Sequence, residues 1–226
     1  MITFGLITEG ITDQIVIDNI LAGYFNTSDI DVNVLQPLHD ETDKNRVENF
    51  GGWYRVFEYC KLSRFKEAFQ NNHYIIVQID TDCSEDTHYE VSQHENGKAL
   101  SPEQLIEKVV EKFKGLIGER FYEQYKDRIL FAIAVHSIEC WLLPLCYPDK
   151  KRAAAIKGCF GRLNRQLEKK GKGFVIKEKD PGDYRKVSSQ YCRHKTLMNL
   201  YKNNPSLKIF IEEIQRQNIV VETDDF

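Results

Sequence analysis

Four apolar runs punctuate the chain, separated mostly by stretches of helical spacing. Ile2-Thr3-Phe4-Gly5-Leu6-Ile7-Thr8 reads as a buried strand that stops at Glu9-Gly10. Asp13 to Tyr24 carries Ile15, Val16, Ile20 and Leu21 at helical intervals, with Thr12 placed to cap the helix. Residues 30–36 alternate Ile30, Val32 and Val34 with polar neighbours, the pattern of a second strand. Pro37 to Gly52 is polar and is expected to be a loop. Trp53 to Phe69 predicts a helix with Val56, Phe57, Cys60, Leu62, Phe65 and Phe69 on its inner side. A third strand is expected over 73–79, followed by an acidic, mobile loop from Thr81 to Gly97. Ser101-Pro102-Glu103 starts a helix running to about Ile117, and a shorter one covers 119–125. The run 129–138 predicts a fourth strand, and a helix begins at Cys140. Helical spacing returns from about Thr196 to Arg216.

Strands alternating with helices predict an α/β fold, a mostly parallel, Rossmann-like sheet flanked by helices. The composition shifts near Pro148. The expected organisation is therefore a domain over 1–147 and a basic, mainly helical C-terminal extension over 148–226. Pro181-Gly182 marks a turn that would present part of that extension as a separate lobe. No run reaches the roughly 18 apolar residues that span a bilayer. The N-terminus opens directly on a strand rather than a signal peptide, so the chain reads as cytoplasmic.

Composition adds two facts. The six cysteines (Cys60, Cys83, Cys140, Cys146, Cys159 and Cys192) form no CxxC pair, which disfavours a zinc knuckle. In a cytosolic chain they are expected to be reduced and mostly buried. Net charge is only −3, but Lys150 to Lys195 holds 15 Lys and Arg against 4 Asp and Glu, a balance of +11. The remainder holds 16 against 30, or −14. Lys150, Lys151, Arg152, Arg162, Arg165, Arg185, Lys186, Arg193 and Lys195 are the cations that would grip nucleic acid; the other reading is a solvated surface. Tyr184 and Tyr191 interleave with them and would either stack on bases or pack within a helix.

The candidate chemistry lies where apolar runs end. Glu9 follows the first strand, Asp80 and Asp82 the third, and Glu139 the fourth. In parallel α/β sheets ligands bind beyond the carboxyl ends of the strands. Carboxylates gathered there repel one another unless a cation neutralises them, and oxygen ligands suit Mg²⁺ or Mn²⁺. Asp13 lies one helical turn beyond Glu9, Gly10 permits a sharp exit between them, and Ser137 precedes Glu139 by two residues. His136 is expected on the opposite strand face from Ser137, and Trp141 beneath the site. Glu85 and Asp86 extend the acidic run, where one or the other would assist a second metal or else remain solvated; His88 and His94 read as loop surface, with a ligand role the alternative. The absence of GxSxG and of GxGxxG disfavours a serine hydrolase and a dinucleotide site.

A Glu after the first strand and an Asp-x-Asp after the third resemble the Toprim domain. With Asp13 and Ser137-x-Glu139 added, residues 1–147 resemble the Toprim nucleases of the overcoming-lysogenization-defect (OLD) family and small stand-alone Toprim proteins of phage-defence loci. The resemblance implies a nuclease using two Mg²⁺ or Mn²⁺ ions. Glu9, Asp13, Asp80, Asp82 and Glu139 would be metal ligands, with Ser137 a supporting or ligand residue. It also implies a late lysine near the scissile phosphate. Lys195, ahead of a helix in the basic segment, is the candidate, or else a surface charge. OLD proteins carry an ATPase in the same chain, whereas no GxxxxGK followed by Ser or Thr occurs here. An ABC-type ATPase would have to be a separate partner, as in a multi-protein antiphage system, and homo-oligomers are expected of such nucleases. A small ribonuclease acting on structured RNA and a non-catalytic nucleic-acid-binding subunit are the alternatives.

Overall fold

The computed structural model describes residues 1–27, 29–37, 52–170 and 174–221. Strand β1 (Ile2–Ile7) leads into helix α1 (Ile11–Phe25) and strand β2 (Ile30–Gln36). Helices α2 (Gly52–Lys61) and α3 (Ser63–Glu67) precede β3 (Tyr74–Asp80). A two-residue hairpin, β4 (His94–Glu95) and β5 (Lys98–Ala99), precedes α4 (Pro102–Ile117), α5 (Glu119–Tyr125) and β6 (Ile129–Ala134). About six-tenths of the way along, the regular elements become helices alone among the described residues: α6 (Glu139–Cys146), α7 (Lys150–Ala153), α8 (Cys159–Lys170), α9 (Pro181–Ser188), α10 (His194–Leu200) and α11 (Pro205–Arg216).

The main sheet is four-stranded and all parallel in the order β2-β1-β3-β6. Strands β1, β3 and β6 are largely buried on both faces, which is why they read as continuous apolar runs, whereas edge strand β2 alternates. Ile7, Ile75, Val77, Ile79 and Ile133 pack with α2, α3 and α4, chiefly through Phe57, Phe65, Val109 and Phe113. Phe4, Leu6, Ile76, Leu130 and Ala132 face Val16, Ile17 and Ile20 of α1 and the C-terminal helices. From β1 the chain crosses to β2 on one side and then returns to β3 on the other. The gap between the carboxyl ends of β1 and β3 is thus the topological switch point, where an open α/β sheet leaves a crevice.

Several boundaries differ from the sequence expectation. Gly10, extended at φ −151° and ψ 170°, is the residue ahead of α1, so Thr12 lies inside the first turn and caps nothing. The expected helix over 53–69 is α2, α3 and a 3-10 turn at Ala68–Gln70. The fourth strand ends at Ala134, because His136 takes a left-handed backbone (φ 70°) that a strand does not admit. The acidic stretch 81–97 is built of hydrogen-bonded turns that bury Tyr89 and Val91, and it ends in the hairpin. Asn96 and Gly97 both have positive φ there, the conformation that a tight hairpin turn of this hand requires. The expected helix over 196–216 breaks where Asn204 caps α11 and Pro205 occupies its first turn. The loop expected at Pro37–Gly52 falls mostly outside the described residues.

The expectation of six reduced cysteines is also corrected. Helices α6 and α8 lie side by side, and Cys140 and Cys159 form a disulfide with Cα atoms 5.0 Å apart. Cys60, Cys83, Cys146 and Cys192 are free.

The segment after Pro148 shares the core of the first 147 residues. Trp141 is fully buried; its Nε1 donates to Ser206 Oγ at 2.8 Å, its ring stacks on Phe210, and its carbonyl accepts from Tyr191. Asn19 of α1 donates to Ser188 of α9 at 2.7 Å. Gly23 lets α1 approach closely: a Cβ there would lie 1.7 Å from the Tyr191 carbonyl oxygen. Pro181-Gly182 opens α9 rather than a detached lobe, and Tyr184 and Val187 of that helix are core residues. Among the described residues no helix is long and apolar enough to cross a membrane.

Candidate functional site

Glu9 leaves the end of β1 beside the last residue of β3. The Asp80 backbone N–H donates to Glu9 Oε1 at 2.7 Å. Helix α2 presents its amino end to the same carboxylate through the Trp53 N–H, and a Cβ on Gly52 would lie 2.5 Å from the Glu9 carbonyl oxygen. Exposed N–H groups and the helix dipole favour an anion in that place.

Asp13 and Asp80 meet on one amide. Gln78 Nε2 donates to Asp80 Oδ1 at 2.9 Å and to Asp13 Oδ1 at 3.2 Å. Its Oε1 accepts from the Glu9 backbone N–H at 3.1 Å. Side chains alternate along a strand, so Gln78 and Asp80 share the α1-facing side of β3 with Ile76. The second Asp80 oxygen accepts from the Ile138 N–H at 3.3 Å, just ahead of α6.

Glu139 opens α6, placed by the turn that follows β6. Ser137 donates to Glu139 Oε2 at 2.5 Å, and the Tyr184 hydroxyl donates to Oε1. Tyr184 comes from α9 and is buried, so the C-terminal helices complete the site. The Thr81 and Asp82 N–H groups both reach the His136 carbonyl at 3.0 Å, tying the Asp80–Asp82 turn to the end of β6. Asp82 itself is exposed and accepts from the Cys83 N–H at 2.8 Å. Tyr89 donates to the Asp80 carbonyl at 3.0 Å beneath it.

Burial is the first cause of the electrostatics here. It drives Glu9 well above the usual carboxylate range, with Asp13 and Asp82 adding repulsion against the opposing N–H of Asp80. Asp13, 6% exposed, is raised to about 7 by burial and then by Glu139. Asp80 is raised by burial and then by Asp13, Glu9, Glu139 and Asp82 in turn. Glu9, Asp13, Asp80, Asp82 and Glu139 therefore lie within each other's fields in a partly dry crevice. Burial and the Glu139 carboxylate likewise push the Tyr184 phenol far up, which keeps its hydroxyl a donor.

Oxygen donors of this kind fit a hard divalent cation. As they stand, however, no three His, Cys, Asp or Glu side chains among the described residues are arranged as a ready metal cage. The reason is visible in the bonds above: Glu9, Asp80 and Glu139 each point at protein donors. Each carboxylate oxygen carries two lone pairs, so a cation would take those that the amide and hydroxyl donors leave open.

The remaining expected residues fall elsewhere. Lys195 follows His194, whose Nδ1 lies 2.8 Å from the Gly23 carbonyl in the last turn of α1. Asp13 is in the first turn, ten residues or about 15 Å away along the helix. Lys195 itself is exposed in the first turn of α10. Glu85 binds the Gln93 N–H and Ser92 of the hairpin, with His94 3.5 Å away, rather than turning to the crevice. His88 is exposed, edge-on to Tyr54. His136 sits in a turn, so strand alternation does not apply to it, and its buried Nδ1 has no partner among the described residues. Lys150, Lys151, Arg152, Arg162, Arg165, Arg185, Lys186 and Arg193 are all exposed. Arg152 pairs with Asp149 at 2.8 Å, and Lys186 lies 3.9 Å from the Phe174 ring centre. The disulfide sets the start of α8 beside the start of α6, and Arg162 donates through Nε to the Lys157 carbonyl at 3.0 Å.

Gln78 and Tyr184 were not among the site residues read from the sequence. Gln78 had a signal, a polar residue inside the run Tyr74–Ile79; Tyr184 had none beyond its cationic neighbours.

Compared with protein-family models, characterised proteins and solved structures, the chain matches none.

Proposed function

We propose that the chain is a divalent-metal-dependent nuclease of Toprim type, hydrolysing phosphodiester bonds of DNA or RNA at the β1/β3 switch point. One observation carries this reading. Carboxylates from β3, α1, α6 and the β1 exit are concentrated in one half-buried crevice, and the partners that hold them among the described residues are neutral. Burying like charges is costly without a counter-charge, so such a cluster is strained until a cation joins it.

Glu9, Asp13 and Asp80 would hold the cation, with Asp82 and Glu139 on the solvent side, and Ser137 and Tyr184 orienting Glu139. When bound, Mg²⁺ or Mn²⁺ polarises a phosphoryl oxygen and lowers the pKa of a bound water. The amino end of α2 steadies Glu9, and the apolar layer beneath excludes bulk water. Exposed cations of α7, α8 and α9 would hold the flanking phosphates. Lys195 is not part of this reading. The resemblance to OLD nucleases extends the proposal to an effector that works with a separate ATPase in antiphage defence.

The test is cleavage of plasmid DNA and of total tRNA in Mg²⁺ or Mn²⁺. Wild type is expected to cut one of them, and Glu9→Ala and Asp80→Ala to cut at least 100-fold more slowly. Unchanged cutting by both variants would overturn the reading. The satisfied hydrogen bonds of the carboxylates favour a second reading, a nucleic-acid-binding subunit without catalysis. Salt-sensitive binding of both substrates, with no cutting in either metal, would select it.

A further inference from the structure

Gln78 is fully buried, in a strand whose other interior positions are isoleucine and valine. An unbonded amide in that setting costs a few kcal/mol, so a residue that only filled space would be apolar. The amide is instead committed to three acidic residues at once: Asp13 and Asp80 through Nε2, and the backbone of Glu9 through Oε1. Its orientation is fixed, because the Glu9 N–H requires the oxygen and the two carboxylates require the NH₂ group. The facing residue on β6 is Ala132, which leaves room for the longer side chain.

The two bonds laid end to end allow Asp13 Oδ1 and Asp80 Oδ1 to be no more than about 6 Å apart. A lysine here would also bridge the carboxylates, but its charge would cancel the negative potential that attracts a cation. An amide bridges them and leaves that potential intact.

We infer that Gln78 is the positioning residue of the site, a neutral clamp that sets the spacing and orientation of Asp13 and Asp80 and anchors the Glu9 turn so that the three close on one divalent cation. This rests on the metal-dependent reading above, and the experiment separates the two.

Mn²⁺ binding is followed by thermal shift and by calorimetry, without substrate. Wild type is expected to be stabilised by Mn²⁺. Gln78→Met keeps length and volume and removes the donors, and its half-saturating Mn²⁺ concentration is expected to rise ten- to a hundredfold, the usual cost of losing a group that orients metal ligands. Gln78→Asn keeps the amide but shortens its reach by one methylene, and the same rise is expected; it carries the test if the Met variant fails to fold. Folded variants whose half-saturation stays within twofold of wild type would overturn the role of Gln78 while leaving the metal reading standing. A folded wild type with no Mn²⁺ response in either assay would overturn the metal reading, and this role with it. A purely structural role would lower the metal-free melting temperature and leave the Mn²⁺ midpoint unchanged.

Discussion

Burial, and then the field of Glu139, push the Asp13 carboxyl up from the ordinary aspartate value to about 7. The folded chain therefore holds that proton more tightly than the unfolded chain. The resulting stabilisation is fully present below pH 3.8 and is lost as pH rises through about 7. Glu9 and Asp80, raised in the same direction, add to the loss. In a chelator the melting temperature is expected to fall across that window, and a flat profile would show that the crevice is wetter than described. Asp13→Asn removes the strain, and at pH 8 without metal it is expected to be more stable than wild type by about 2 kcal/mol, read by urea unfolding. The places of Glu9 and Asp80 at strand ends were legible in the sequence, because strands buried on both faces leave apolar runs with visible ends, whereas Glu139 opens α6 five residues beyond the end of its strand. Gln78 was not, since one polar residue inside such a run looks like noise until its three partners are seen. Tyr184 was not either: it lies 45 residues beyond Glu139, and helix packing rather than any local pattern brings them together.

At the level of elements, alternation and caps located most of the α/β body, and Ser101 does cap α4 as its sequence predicts. Periodicity failed where backbone conformation decides. The strand over 129–138 stops early because of His136, and the hairpin inside the acidic stretch rests on Asn96-Gly97, a pair embedded in polar sequence. The disulfide was missed because the reading of the cysteines rested on compartment, whereas the pairing follows from α6 and α8 lying alongside. The seat of α1 against the C-terminal helices depends on Gly23. Gly23→Ala would press a methyl onto the Tyr191 carbonyl, and since backbone cannot swing aside as a side chain can, a loss of about 3 kcal/mol or more is expected. Denaturant midpoints measure it; a change below about 0.5 kcal/mol would mean that the helices shift freely.

For the whole molecule, the composition shift at Pro148 marks a change of surface charge and not a division of the core. Trp141, Leu163, Tyr191, Phe210 and Ile214 belong to one apolar cluster with Phe4 and Leu6. A chain cut after Tyr147 is expected to lose cooperative unfolding and to bind a hydrophobic dye, because one face of the sheet is left bare. A sharp thermal transition from that fragment would restore the two-domain description. Helix α1 carries Asp13 in its first turn and rests on the C-terminal helices through Asn19 and Gly23. A helix of this length is stiff along its axis, so it acts as a pushrod. A partner that moved α9 or α10 would thereby bear on the Asp13 end of α1 as well.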